Sequence, residues 1–417
     1  MSFGRLKYKI INNMKLHVLF LNDNGFQYGA GIAQLRQMQS FLMLGHDVSA
    51  ICCRQGDIEK TIPFIPKKAT GIWRGMQQFP HLDGKDKVAP SIIVNAIMEA
   101  TRLMKPDIVI VGNLHGCLWP LELLTALHHS GSAVIAYMHD CYYITGRCTH
   151  PFSCSSFQTG CDTQCASFAE HPALQPKAIA GAWRLRQDIF TNHKGIGLAA
   201  NSQWTLGMAR NALKNPFFLD AVSLGLDHRL FRKIDKLLAR QILGLPEDAF
   251  IIVSGAVNVR DPHKGGHLFQ EIVERFSGTA LFLAFGLAHG LRGVHVTGMI
   301  RDYRKMPLLY SAADLFIGTS LAESFGQTYC EAAACSLPIV AFNVGGIPET
   351  ARHGQNALLI DTIDVDQHCA AIQFFMDNPD MRQQYGSAGR DIVETEFTLE
   401  KQSERWRTHL CSFAKKL

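Results

Sequence analysis

Two carboxylates eight positions apart, Glu323 and Glu331, bracket the run Ser324-Phe325-Gly326. Residues 314–318 are a short apolar run with the length of a buried strand. The polar stretch 319–326 follows and carries Glu323; 327–336 is Ala-rich without Gly or Pro inside, which favours helix. Residues 338–342 predict the next strand, Gly345-Gly346 a turn, Pro348 a first helical position and 357–360 another strand. A β-α-β-α-β order predicts a parallel sheet with its ligand outside the carboxyl ends of the strands. Glu323 enters a helix where free N–H groups and the dipole suit an anion. Glu331, about a turn further in, can reach the same crevice and accept hydrogen bonds from a diol. Acids for two sugars beside a phosphate-binding helix end suit a nucleotide sugar. The plainer reading makes Glu323 a helix cap and Glu331 a solvated residue, as most glutamates are.

Three further groups sit where strands are expected to end. Residues 250–255 predict a strand, followed by Asn258, Arg260 and then Lys264-Gly265-Gly266 at a helix start. A lysine there adds a point charge to the N-terminal dipole and can clamp a phosphate; the alternative is a surface helix cap. In the amino-terminal half, a strand over 15–21 leads to Gly29-Ala30-Gly31 and a helix over 32–44. A dinucleotide fingerprint needs a third glycine where Gln34 stands, so a hydride-transfer enzyme is disfavoured, and a tight turn is the plain reading of the glycines. His139 ends a strand over 133–138, and Asn113-Leu114-His115-Gly116 follows one over 108–111, again at a ligand-facing end. Cys148, Cys154, Cys161 and Cys165 allow three readings: a structural zinc staple, reduced core thiols, or disulfides. Their spacing lacks the paired Cys-x2-Cys knuckles of strong zinc motifs.

Glu323-Ser324-Phe325-Gly326, then Glu331-Ala-x-Ala-Cys335-x-x-Pro338-Ile-Val-Ala, then Gly345-Gly346-Ile-Pro-Glu349, resembles the nucleotide-sugar signature of family-4 retaining glycosyltransferases. Ser336 and Ala357 depart from it where glycines are usual. His139-Asp140, Thr145-Gly146-x-Cys148 and three more cysteines resemble the colanic-acid and exopolysaccharide branch. The resemblance implies an α/β fold of the GT-B kind: two Rossmann-like parallel-sheet domains facing a central cleft, with a C-terminal helix crossing back to the first. It implies catalytic roles for His139, Glu323 and Lys264. It places Gly29, Gly31, Asn258, Lys264, Ser324, Phe325, Gly326 and Glu331 around the donor, with Glu331 on the ribose hydroxyls and Lys264 on the diphosphate. An arginine is usual where Asn258 stands, and Arg260 is the candidate substitute.

The implied function is metal-independent, retaining transfer of a hexosyl or deoxyhexosyl group. The donor is a UDP- or GDP-linked sugar and the acceptor a glycan or lipid-linked oligosaccharide, in exopolysaccharide or cell-surface polysaccharide synthesis. Same-fold alternatives are a sugar-nucleotide epimerase or hydrolase, or a non-catalytic sugar-nucleotide-binding subunit.

The whole chain agrees with a two-domain enzyme. At 417 residues it exceeds one ordinary core. The expected division is 1–13 as an extension without structure, 14–222 as the acceptor-side domain with a Cys-rich segment over 141–165, 223–396 as the nucleotide-sugar domain, and 397–417 as the crossover helix. Residues 53–90 read as a variable surface region, and the basic stretch 171–190 as a mostly helical, solvated face. The net charge of +5 suits an anionic substrate or a membrane surface but is too small to indicate nucleic acid. No apolar run reaches the ~20 residues of a membrane span, and the first apolar segment is too short for a signal-peptide core. The expectation is a cytoplasmic enzyme with reduced thiols, peripheral on the inner membrane.

Overall fold

Most strands are unbroken apolar runs rather than alternating patterns, as parallel sheets covered on both faces require. The computed structural model describes residues 3–54 and 73–417. It divides into two compact units, Met1–Leu224 with Gln402–Leu417, and Gly225–Lys401. Unit 1 contains β1 (His17–Asn24), β2 (Asp47–Arg54), β3 (Trp73–Gln78), β4 (Ile108–Val111), β5 (Ala133–Met138), β6 (Ile196–Ala200) and β7 (Leu219–Ala221). Unit 2 contains β8 (Ile251–Asn258), β9 (Leu281–Leu287), β10 (Val294–Gly298), β11 (Leu315–Gly318), β12 (Ile339–Phe342) and β13 (Ala357–Ile360). The orders are β3-β2-β1-β4-β5-β6-β7 and β10-β9-β8-β11-β12-β13. Neighbours pair in parallel throughout, for example Leu19 with Val109 and Phe316 with Val253. Each unit is therefore a doubly wound Rossmann-like sheet, and its chain direction across the sheet reverses once. That reversal lies between β1 and β4 in unit 1 and between β8 and β11 in unit 2, where a crevice opens at the carboxyl ends.

The opposite, amino-terminal ends are tied by charge. In unit 2, Asp314 accepts from Ile251 N at 2.8 Å, from Arg240 Nη2 at 2.8 Å and from Lys236 Nζ at 2.6 Å, so one carboxylate joins β8, the start of β11 and the helix Lys236–Leu243. In unit 1, Asp107 accepts from His17 N at 2.8 Å and from Lys9 Nζ at 2.7 Å. Lys9 belongs to the helix Phe3–Ile11, so the expectation of an extension without structure over 1–13 is corrected. Leu6 and Ile10 bury one face of that helix, and Phe3 stacks on His128 at 5.5 Å.

The closing helix is Leu399–Lys416, and from Gln402 on it belongs to unit 1. Its Trp406 is fully buried against Phe41, at 5.1 Å, and Tyr137, at 5.8 Å. Of the region 53–90, residues 55–72 lie outside the described residues; the remainder holds the end of β2, β3 and two short turns, Pro80–Leu82 and Gly84–Asp86. Among the described residues, no helix is long and apolar enough to cross a membrane.

His368 lies fully buried in unit 2, its ring 5.2 Å from Phe342 and its Nε2 3.4 Å from Gly318 O. Burial pushes its pKa down to about 4. Between that value and the unperturbed ~6.5 the unfolded chain binds the extra proton, so stability rises with pH across the window. It is fully present above ~6.5 and lost as pH falls toward 4. A His368→Leu protein is expected to show a flatter dependence of its urea midpoint on pH between 6.5 and 4 than the parent. Equal slopes would remove His368 from the account.

Candidate functional site

Unit 2 places its chemistry at the β8–β11 reversal. Lys264 ends the turn Pro262–Lys264 and is followed by Gly265, whose φ is +63°. A Cβ there would lie 2.1 Å from Thr319 O, so only glycine lets this turn press against the end of β11. Thr319 Oγ1 donates to Lys264 O at 2.9 Å, and Leu321 N donates to His263 O at 2.7 Å. These bonds put the Lys264 ammonium on the Glu323 carboxylate as an ion pair, and Ser320 Oγ donates to the same Glu323 oxygen at 3.2 Å. Both side chains are only part-buried, so the lysine can exchange its carboxylate for an incoming phosphate. A small, partly open pocket lies here. Ser254, Gly255, Ala256, Lys264, Gly318 and Thr319 are among its walls.

The Glu323 loop is held from behind. Gly346 N donates to Glu323 O at 2.9 Å. A Cβ on Gly345, at φ +58°, would come within 1.9 Å of that same oxygen, and one on Gly346 within 2.2 Å of Ser324 O. Gly345→Ala is therefore expected to cost at least the ~1–2 kcal/mol of a left-handed alanine, plus displacement of the Glu323 carbonyl. The urea midpoint measures the loss, and an unchanged midpoint would contradict the close packing. Ser324 and Phe325 are buried, with the Phe325 ring 5.7 Å from Phe397. Gly326, at φ +82°, opens the helix Gln327–Ala334.

Glu331 is buried, not solvated, at 3% exposure. Tyr310 donates to its Oε2 at 2.9 Å and Tyr303 to its Oε1. A hydroxyl on each oxygen is the arrangement a diol would present, and here tyrosines supply it. Asn258 is exposed at the end of β8 and accepts from Arg260 N at 3.1 Å. Arg260 is exposed and reaches His289 O at 3.4 Å, so its guanidinium is held at the β9 exit.

Unit 1 gathers a second group at the β1–β4 reversal. His139, just past β5, is half-buried and lies against Gly112, where a Cβ would sit 3.1 Å from its Nε2. Its crowded surroundings lower its pKa to about 4, so it is neutral at pH 7. Beside it, buried His115 Nε2 lies 2.9 Å from Asp140 Oδ2. Burial alone would strip the His115 charge, but the Asp140 carboxylate outweighs it and raises the histidine. Asp140 is held low, burial notwithstanding, by that same partner. Asp23, at the end of β1, accepts from Gly116 N and Asn24 N, yet burial raises it.

Gly29 and Gly31 are not in a loop before the helix. They lie in the first turn of Tyr28–Met43. A Cβ on Gly31 would meet Gly25 O at 1.8 Å, so close packing of the helix start on the preceding turn explains that glycine. The cysteines of the segment are free thiols, and a buried arginine ties the segment together. Arg147, buried, donates to Pro172 O at 2.9 Å, Glu170 O at 2.8 Å and Ser167 Oγ at 2.8 Å. Cys148 and Cys165 lie 3.4 and 3.6 Å from the Ser167 hydroxyl, while Cys161 accepts from Gly146 N at 3.3 Å. No three of Cys148, Cys154, Cys161 and Cys165 lie within 4.8 Å of one another, so this geometry does not present a tetrahedral zinc set. In the helix Pro176–Asn192, Arg186 is buried rather than solvated; it donates to Tyr142 O at 2.7 Å and lies over the Tyr142 ring.

The tyrosines on Glu331 and the His115–Asp140 pair escape sequence reasoning, because no motif spacing links residues so far apart. The one available signal is that His115 and Asp140 both follow strand ends.

Residues 285–392 match the family model "Glycosyl transferases group 1". Over 194 residues the chain is 27% identical to D-inositol 3-phosphate glycosyltransferase 2 of Catenulispora acidiphila, covering 41% of this chain and 45% of that protein. The chain thus spans less than half the length of this curated relative. Among solved structures, sucrose-phosphate synthase from Thermosynechococcus elongatus superposes with a TM-score of 0.70 at 16% identity, covering 94% of this chain and 97% of that one. Anabaena HepE in complex with UDP-glucose gives 0.70 at 17% identity, covering 95% and 100%. The fold is that of the GT-B glycosyltransferases, two Rossmann-like parallel-sheet units, and the segment 285–392, which holds Glu323 and Glu331, carries the group 1 glycosyl transferase pattern.

Proposed function

We propose that this chain is a retaining, metal-independent glycosyltransferase. It moves a hexosyl or deoxyhexosyl group from a UDP- or GDP-linked sugar to a glycan or lipid-linked acceptor. The observation that carries the reading is the Lys264–Glu323 pair at the mouth of the β8–β11 crevice. A cation and a carboxylate held together there suit a donor that presents a diphosphate and a sugar ring side by side. As the bond from the sugar to the β-phosphate breaks, negative charge grows on the leaving diphosphate. Lys264, once it exchanges the Glu323 carboxylate for the phosphate, stabilises that charge, the electrostatic effect that usually dominates such catalysis. Glu323 takes hydroxyls of the sugar ring, and Glu331, released from its tyrosines, those of the ribose. Ser324, Phe325 and Gly326 shape the loop that carries Glu323 into the helix start. Asn258 and Arg260 border the phosphate end. In unit 1, neutral His139 offers one ring nitrogen as donor and one as acceptor to sugar hydroxyls; Gly29 and Gly31 let the chain pass close by at the start of their helix.

The HepE complex with UDP-glucose supports a nucleotide-sugar donor. The cysteine pattern after His139 supports a polysaccharide or exopolysaccharide acceptor. The +5 charge suits work at the cytoplasmic face of an anionic membrane, where a lipid-linked acceptor resides. Calorimetric titration with UDP, GDP and ADP and their hexose conjugates tests the donor. Saturable binding of one diphosphate, followed by acceptor-dependent release of that diphosphate and a product whose anomeric configuration matches the donor's, is expected. Absence of binding by all of them would sink the reading.

A further inference from the structure

Three side chains from distant parts of unit 1 converge on one buried point. Cys53 lies near the end of β2, Asp83 opens the turn Gly84–Asp86, and Cys117 lies in the turn His115–Cys117 beyond β4. One ligand atom from each lies within 4.8 Å of the other two, and all three residues are buried. Among the described residues no other such group occurs. We propose that Cys53, Asp83 and Cys117 form a buried site for a thiophilic divalent metal ion of the zinc class, which pins the end of β2, the turn after β3 and the turn beyond β4 together.

The donor set matches the ion. Two thiolates and a carboxylate are a borderline-soft set, and a tetrahedral zinc with bonds of ~2.0–2.3 Å holds its ligand atoms ~3.6–3.8 Å apart. A cluster within 4.8 Å is at most about 1 Å wider than that spacing. Charge also balances: two thiolates and a carboxylate are offset by a divalent cation together with Arg54, which forms an ion pair with Asp83. The second Asp83 oxygen accepts from Lys85 N at 3.0 Å, so the carboxylate is oriented from outside as metal-binding carboxylates usually are. The Asp23 carbonyl lies 3.6 Å from Cys117 Sγ and is placed to fill a fourth position. A site so closed to solvent is structural, not catalytic. Its effect is on the turn His115–Cys117, which Asp23 at the end of β1 holds through Gly116 N.

The test uses the full chain, purified under reducing conditions in zinc-supplemented buffer without a metal-affinity tag. About one equivalent of zinc is expected in the parent. It should fall to near zero in Cys117→Ser and Asp83→Asn, and stay unchanged in Cys161→Ser, which separates this site from the other cysteine segment. Because the first two variants could misfold, the parent itself is stripped with a chelator and titrated with Co²⁺. A thiolate-to-cobalt charge-transfer band saturating at one equivalent supports the site, as does a rise in melting temperature on zinc addition. Three results would overturn it: a metal-free parent whose stripped form gives no thiolate band, zinc fully retained in Cys117→Ser, or a Cys53–Cys117 disulfide in protein kept reduced throughout.

Discussion

A Lys264→Ala protein is expected to lose about 10²–10³-fold in kcat/KM with its best sugar nucleotide, the effect of removing one charge stabiliser. The loss follows from position. Lys264 is carried on a turn that Gly265 allows to pack on Thr319, and its ammonium is held at the crevice by Glu323 and not by a structural partner. The side chain is part-buried, so its removal leaves no cavity of consequence and the urea midpoint should move little. Glu323→Gln keeps the loop but removes the counter-charge. Its expected signature is a lower kcat with diphosphate binding retained, because Lys264 is then free for phosphate. Isothermal titration with the nucleoside diphosphate separates the two variants: affinity falls in Lys264→Ala and holds or rises in Glu323→Gln. Wild-type turnover in both would remove the pair from the mechanism.

The largest stability effect is expected at Asp314. Its carboxylate faces Arg240 and Lys236, of which Arg240 is 3% exposed at its side chain and Lys236 is 40% exposed. Asp314→Ala strands the buried guanidinium and frees Ile251 N, at an expected cost of about 3–5 kcal/mol. The lower end is favoured, because Arg240 keeps the Ala312 and Glu247 carbonyls as acceptors and the exposed lysine adds little. Asp314→Asn should cost less, since an amide oxygen can still accept from Ile251 N. Chemical denaturation of the two variants gives the comparison. A loss below ~1 kcal/mol in Asp314→Ala would mean that the buried charge finds other compensation.

The doubly wound architecture was legible because unbroken apolar runs separated by helical stretches have few ways to pack. The 314–360 stretch was read nearly element by element, since Gly326, Gly345 and Pro348 punctuate it at the bonds that the backbone makes. Lys264 and Glu323 were legible as separate candidates. Their pairing was not, for it depends on Thr319 and Leu321 bonding to a turn 55–58 positions earlier.

The misread residues share a cause. The plainer alternative for Glu331, a solvated glutamate, fails on its burial, and Gly31 reads from sequence as a loop residue. Arg186 was assigned to a solvated face, and 1–13 to an extension without structure. In each case local composition was right and the neighbour was remote: Tyr303 and Tyr310, the Gly25 carbonyl, Tyr142, and Asp107 with His128. Spacing along the chain determined which elements form and which residues end them, because helix and strand periodicity and glycine conformation are local properties. The tertiary structure alone decided which charges are buried, which are paired, and which thiols meet, because desolvation and hydrogen bonding depend on what the fold brings alongside.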